Sequence, residues 1–175
     1  MAGDQELWRL ICRGDAEAFD GFYRENAPRL QAFLRHIVRS PQAAEDITQE
    51  VFTKLWSRPN GFEPERGTLR AYLYGIGRKR AAEWWRQQSP EGAAAETETN
   101  TSQTETISIV GDVFARLSLD QRTLLWLREV EGHSYKELAQ GLEIPVGTVR
   151  SRLFVARESL RKIWMTTRQI SKEDE

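Results

Sequence analysis

Thr148, Arg150 and Ser151 fall in the first turns of a C-terminal helical pattern, with Pro145 and Gly147 leading into it and Phe154 and Arg157 following along one stripe. Hydroxyls and guanidinium groups hydrogen-bond base edges and phosphates, and an aromatic ring can lie against a thymine methyl. The chemistry is contact with duplex DNA from one helix face.

That face needs a scaffold, and the flanking residues supply one. Val149, Leu153, Ala156, Leu160 and Ile163 or Trp164 recur at helical spacing on the opposite side, so one face is core while Arg150, Phe154, Arg157 and Arg161 form the other. Upstream, Ser134 followed by Glu137 is a capping box that starts a helix. Gly141 suits a left-handed cap at its end, and Pro145 suits the first position of the next helix. Helices over Ser134–Gly141 and Pro145–Trp164, with Leu142, Glu143 and Ile144 as the turn, make a helix-turn-helix. Ala139 is small where the two helices cross. A solvated arginine face explains the last helix alone, but the capped pair in register favours DNA.

The whole chain bounds this reading. It has 175 residues, 39% hydrophobic and 29% charged, an ordinary composition for one or two small domains. No apolar run approaches the roughly 18 residues of a membrane span, and the polar, acidic start does not resemble a secretory signal. The expected compartment is the cytoplasm, with no membrane insertion. The single cysteine, Cys12, excludes an intrachain disulfide and is expected to pack against a neighbouring helix. Isolated His36 and His133 offer no metal cluster, so no cofactor or metal is expected.

A net charge of −1 is unusual for a DNA-binding protein. The charge is segregated instead, basic over 66–86 and 150–162, acidic over 45–65, 91–112 and the last three residues. Two DNA-facing patches and at least one other partner account for this; the alternative is acid and base pairing across domains. Between the halves, residues 89–106 contain no aromatic, Leu, Ile or Val, and are expected to form a flexible acidic linker. As a random coil it would span about 25 Å, and fully stretched about 60 Å, letting two domains grip separated sites. The expected organisation is a first domain over 1–88, the linker, a helix-turn-helix domain over 107–165 and a tail over 166–175.

The first half also reads as helical. Asp4 opens a short helix ended by Gly14, and Asp15 opens another carrying Phe19, Phe22 and Tyr23. Pro28 is expected to restart the chain before Leu30, Phe33, Leu34 and Ile37. Ser40 and Pro41 begin a third helix with Ile47, Val51 and Leu55 as its core face. No sustained alternation calls for strands, and the fold class is all-α. On the third helix Asp46, Gln49, Glu50 and Thr53 fall at i, i+3, i+4 and i+7, an acidic and polar row facing away from the core. Further on, Phe62, Tyr72, Tyr74, Trp84 and Trp85 are interleaved with Arg66, Arg70, Arg78, Lys79 and Arg80, a pattern suited to stacking on single-stranded bases and holding their backbone.

Two blocks carry a family resemblance. Ala44-Glu45-Asp46-Ile47-Thr48-Gln49-Glu50-Val51-Phe52 with Leu55-Trp56 resembles region 2 of bacterial sigma factors, and Gly147-Thr148-Val149-Arg150-Ser151-Arg152-Leu153 with Ala156-Arg157 is similar to region 4.2. The chain therefore resembles an extracytoplasmic-function (group 4) sigma factor, with sigma-2 and sigma-4 domains joined directly. The resemblance implies a non-enzymatic subunit that binds core RNA polymerase, including β and the β′ clamp coiled coil, through Asp46, Gln49, Glu50 and Thr53. It implies capture of the melted −10 strand by Phe62, Arg66, Arg70, Tyr72, Arg78, Lys79 and Arg80. It implies reading of the −35 element by Pro145, Gly147, Thr148, Arg150, Ser151, Phe154 and Arg157, and an anti-sigma factor as a further partner.

Two departures matter. Ile76-Gly77-Arg78-Lys79 has Lys where many members carry Asn, which removes an acceptor, and Gly75 and Gly77 each weaken a helix by roughly 1 kcal/mol relative to Ala. Val155 stands where a basic residue is common. A helix-turn-helix regulator acting outside the polymerase is the competing reading, and it leaves the Asp46 row without a role. A helical metal enzyme using Asp46 and Glu50 lacks the further ligands it needs.

Overall fold

The computed structural model describes residues 2–57, 61–88, 113–114 and 116–173, and among them the chain is all-α with seven α-helices and no strand. The first half contributes α1 (Ala2–Cys12), α2 (Ala16–Val38), α3 (Pro41–Ser57), a 3₁₀ turn (Pro64–Arg66) and α4 (Leu69–Gln88). The second contributes α5 (Leu119–Leu125), prolonged by a π turn (Trp126–Val130), then α6 (Tyr135–Gly141) and α7 (Val146–Glu173). The linker expected over 89–106 lies outside the described residues.

Helix starts follow the side-chain chemistry. Asp15 caps α2 by accepting from the amides of Glu17 and Ala18, and the Ser40 hydroxyl accepts from Ala43 at the start of α3. Ser118 with Gln121, and Ser134 with Glu137, form complete capping boxes on α5 and α6.

Four local expectations are corrected. Pro28 does not restart the chain, because α2 runs through it. A prolyl inside a helix costs about 3 kcal/mol. Phe22 and Ala27 before it and Leu30, Phe33, Leu34 and Ile37 after it all bury on one face, at roughly 1.5–3 kcal/mol for each large side chain, so burial wins. Asp4 does not open α1, which begins at Ala2; its carboxylate instead accepts from the Leu69 amide at 3.1 Å, serving the first turn of α4 from 65 positions away. Gly141 is the last residue of α6 and not a left-handed cap; that conformation falls to Glu143, with φ of 57°. Cys12 is exposed at the end of α1 and not buried in the core. In addition, α7 runs on past Trp164 to Glu173.

The two halves share one core. Phe33, Leu34, Leu73 and Tyr74 belong to the same buried cluster as Leu125, Leu138, Leu153 and Ala156. The described parts of the two halves therefore pack against each other.

Candidate polymerase and nucleic acid interfaces

On α7 the core stripe is Val149, Leu153 and Ala156, each at most 1% exposed, and it seats the helix on α5 and α6. The opposite stripe is open. Phe154 is 68% and Val155 53% exposed, and Pro145, Gly147, Arg150, Ser151 and Arg157 are exposed beside half-buried Thr148. Leaving a phenyl ring in water forgoes the stabilisation that burial would give. Ser151 donates its hydroxyl to the Thr148 carbonyl at 3.1 Å, leaving its lone pairs outward.

The arginines of this stripe are pre-aimed by residues not singled out from sequence. Arg157 makes two hydrogen bonds to one oxygen of Glu129, at 3.1 and 2.6 Å, and hydrogen bonding to Glu129 and Tyr135 raises its pKa. Arg150 and Arg128 both lie over the Tyr135 ring, 6.0 and 5.0 Å from its centroid. Glu129 sits in the π turn and Tyr135 follows the Ser134 cap, so only the fold brings them under α7. A usable sequence signal existed only for Tyr135, an aromatic at the head of a capped helix.

On α3 the row stays together. Asp46, Gln49, Glu50 and Thr53 are all exposed on one face, while Ala44, Ile47, Val51 and Leu55 bury on the other. Gln42 donates to Asp46 at 3.1 Å, and Glu50 lies 3.9 Å from Arg80 on α4.

The candidates on and before α4 are divided. Phe62 is corrected to a core residue: it is 7% exposed, edge-on to Trp8 at 5.3 Å and beside Tyr72 at 5.6 Å, and presents no face on which a base could stack. Tyr74 is also buried, whereas Tyr72, Trp84 and Trp85 are half-buried. Burial, followed by the nearby Glu143 charge, pushes the Tyr72 hydroxyl pKa up. Arg66 lies in the 3₁₀ turn ahead of α4. Arg70 pairs with Glu25 at 3.3 Å and Arg80 with Glu83 at 2.7 Å. The remaining two are engaged across the halves, Arg78 with Asp120 at 2.5 Å and Lys79 with Glu143 at 2.8 Å. Arg152 of α7 shares Asp120 at 3.5 Å, and Arg29 of α2 approaches Glu131 at 3.8 Å. Acid and base do pair between domains, as the alternative reading of the charge pattern expected.

An all-α body with a capped helix-turn-helix, an exposed cationic stripe on its second helix and an exposed acidic row on a separate helix defines a two-part DNA-binding protein with a protein-docking face. Comparison with known proteins gives its family. Sigma-70 region 2 matches residues 22–91, and Sigma-70, region 4 matches residues 108–160. The RNA polymerase sigma-H factor of Pseudomonas aeruginosa is 31% identical, over 91% of this chain and 92% of its own length. The ECF RNA polymerase sigma-E factor of Haemophilus influenzae is also 31% identical, over 90% of this chain and 93% of its own. Among solved structures, the sigma factor RpoE in complex with the anti-sigma factor NepR from Bartonella quintana superposes with a TM-score of 0.66 at 25% identity, covering 85% of this chain and 97% of that one. CnrH, in complex with the cytosolic domain of CnrY, shares the fold with a TM-score of 0.72 at 21% identity, covering 93% and 97%. The chain belongs to the extracytoplasmic-function sigma factors of the sigma-70 family, and is an RNA polymerase sigma factor.

Proposed function

We propose that this chain binds core RNA polymerase reversibly and directs it to promoters through two separate contacts, without catalysing a covalent step, in the cytoplasm. Domain 4, expected over 107–165, sets the start of α7 in the major groove of the −35 element. Arg150 and Arg157 hold bases or phosphates, Thr148 and Ser151 offer hydroxyls near the helix start, and Phe154 covers a thymine methyl. Pro145 and Gly147 bring the backbone close to the phosphates. Domain 2, expected over 1–88, docks its α3 row of Asp46, Gln49, Glu50 and Thr53 on the β′ clamp coiled coil. Its α4 face then holds the melted −10 strand through Arg66, Arg70, Arg78, Lys79 and Arg80, with Tyr72 stacking on a base.

The observation that carries this reading is the open stripe of α7: Arg150, Phe154 and Arg157 are exposed opposite a fully buried seam, and their guanidinium groups are oriented by Glu129 and Tyr135. An anti-sigma factor is a further partner, supported by the complexes in which relatives of the same fold were solved. The slightly negative net charge goes with weak duplex binding by the free chain, most of the affinity coming from polymerase.

The decisive experiment adds the purified chain to sigma-free bacterial core polymerase on a genomic fragment library and sequences the 5′ ends of the transcripts. New starts sharing two spaced upstream elements are the expected result. No new starts, together with no co-elution with core, would leave a regulator outside the polymerase as the better reading.

A further inference from the structure

The open face of α7 has a centre as well as a cationic edge. Successive residues turn about 100° around a helix, so Gly147, Ser151 and Val155, four apart, form one line along α7. Relative to Ser151, the buried seam of Val149, Leu153 and Ala156 lies about 140–200° away, which puts this line opposite the core. Val155 stands about 40° to one side of Ser151 and Phe154 about 60° to the other. Arg150 and Arg157 lie about 100–120° away on the Phe154 side, and Arg152 about 100° away on the Val155 side. Across the helix the face therefore runs cation, ring, hydroxyl, isopropyl, cation, with the guanidinium groups on its two rims.

Rims and centre meet different parts of a duplex. A helix lying in the major groove points its centre line at base edges and its flanks at the two phosphate walls. Arg152 is held by Asp120 at 3.5 Å, Arg157 is held by Glu129 and Arg150 lies over Tyr135, so all three are drawn off the centre line. Val155 is more than half exposed, an apolar group left open on the far side of Ser151 from the Phe154 ring. Gly147 heads the line, and a Cβ there would meet nothing within 4 Å. Packing within the chain does not ask for a glycine, which weakens a helix relative to alanine; close approach of the α7 backbone to DNA does. Glu158, about 20° from Ser151 and paired with Arg161 at 3.3 Å, brings a carboxylate onto the line and ends it.

We infer that Val155 is a base-reading residue: with Phe154 it forms an apolar pair astride Ser151 that takes up thymine methyls, so this chain selects thymine where an arginine at the same position would select guanine. Valine offers neither donor nor acceptor, and the C5 methyl of thymine is the major-groove group that an isopropyl group recognises. The inference rests on the placement of α7 in the −35 groove proposed above. On its outer side Val155 also borders a shallow groove with Ser118, Gln121 and Leu124, and a protein seated there is the competing use of the side chain.

The test uses holoenzyme assembled from the full chain and sigma-free core polymerase, on a promoter found by the transcript mapping above with its −35 element randomised. Transcribed templates are sequenced for the wild type, Val155→Ala, Val155→Arg and Phe154→Ala, and circular dichroism checks that each variant keeps its helix content. Thymines selected by the wild type are then replaced one at a time by deoxyuridine, which removes only the methyl group. The expected result is a thymine whose demethylation lowers wild-type open-complex formation about fourfold, the worth of burying one methyl group, and leaves Val155→Ala unaffected. Phe154→Ala is expected to lose sensitivity at a different thymine, and Val155→Arg to prefer guanine by at least about fivefold at the base pair that Val155 reads. Unchanged base preference in folded Val155→Ala and Val155→Arg overturns the inference while leaving α7 in the groove. Variants that lose transcription equally on every template place Val155 against a protein and overturn it as well. A wild type that selects no upstream element overturns the placement of α7 and the inference together.

Discussion

The ring of Tyr74 on α4 meets the imidazole of His133 edge-on, with centroids 5.7 Å apart and the planes at 81°. His133 is 4% exposed, and its Nε2 has no hydrogen-bond partner. Burial lowers its pKa below 6.5; Glu137 opposes this, Arg70 adds to it and Glu131 opposes it again. The site therefore holds a neutral imidazole, and its contribution is complete above pH 6.5 and lost as pH falls through the depressed value. Thermal melting of the wild type is expected to drop more steeply between pH 7.5 and 5.5 than that of His133→Phe, which cannot take up the proton. Parallel pH profiles for the two proteins would argue against the imidazole as the acid-sensitive group.

Reversing one charge on the α3 row separates docking from folding. Asp46 is exposed and accepts a hydrogen bond of 3.1 Å from Gln42 on its own helix, so Asp46→Arg is expected to change stability by no more than about 0.5 kcal/mol. Co-elution with core polymerase is expected to disappear. A stable variant that still co-elutes removes Asp46 from the interface.

Glu129 holds the Arg157 guanidinium by two hydrogen bonds. In the assembled holoenzyme, Arg157→Ala is expected to weaken promoter binding and to reduce the salt dependence of log affinity by about one unit if the contact is to phosphate, or to relax preference at one −35 base if it is to an edge. Glu129→Gln keeps the shape but weakens the pairing, and is expected to give a smaller loss of the same kind. Binding measured over a salt series on matched promoter variants distinguishes these outcomes.

Phe62 and Tyr72 are neighbours with opposite assignments. Phe62→Ala removes a buried ring between Trp8 and Tyr72 and is expected to destabilise the chain by about 3–5 kcal/mol in denaturant unfolding. Tyr72→Phe removes only a half-buried hydroxyl and is expected to leave stability within about 1 kcal/mol. A mild Phe62→Ala would mean that the ring is not core.

Asp4 gives a test of the long-range cap. Asp4→Ala is expected to cost about 1 kcal/mol and to raise hydrogen exchange in the first turn of α4, because the Leu69 amide loses its acceptor. Exchange confined to α1 would show that the carboxylate serves its own helix instead.

Much of this was legible along the chain because it depends on neighbours in sequence. Helical periodicity identifies the buried stripes of α2, α3 and α7, and the Ser134–Glu137 spacing identifies the start of α6, since capping and amphipathic burial act over three to seven positions. The Asp46 row and the Arg150, Phe154 and Arg157 stripe are visible for the same reason. Where one local rule opposes several distant contacts, the sequence misleads: Pro28 signals a break, but the burial on both sides of it overrides that signal. Phe62 reads as a stacking aromatic until Trp8, from a different helix, is seen against it.

Asp4 serving Leu69, Glu129 aiming Arg157, and Gly75 admitting the Gly141 carbonyl all join residues far apart in the chain. None leaves a periodic trace, because a cap, an orienting carboxylate and a missing Cβ are each defined by what stands opposite them in space. The sequence alone determined the capped starts of α2, α3 and α6, the amphipathic stripes of α3 and α7 with their two exposed faces, and the family to which they point. Only the tertiary structure decided that the cations of α4 face the chain's own carboxylates, because pairing across a seam depends on the packing of surfaces and not on spacing along a helix.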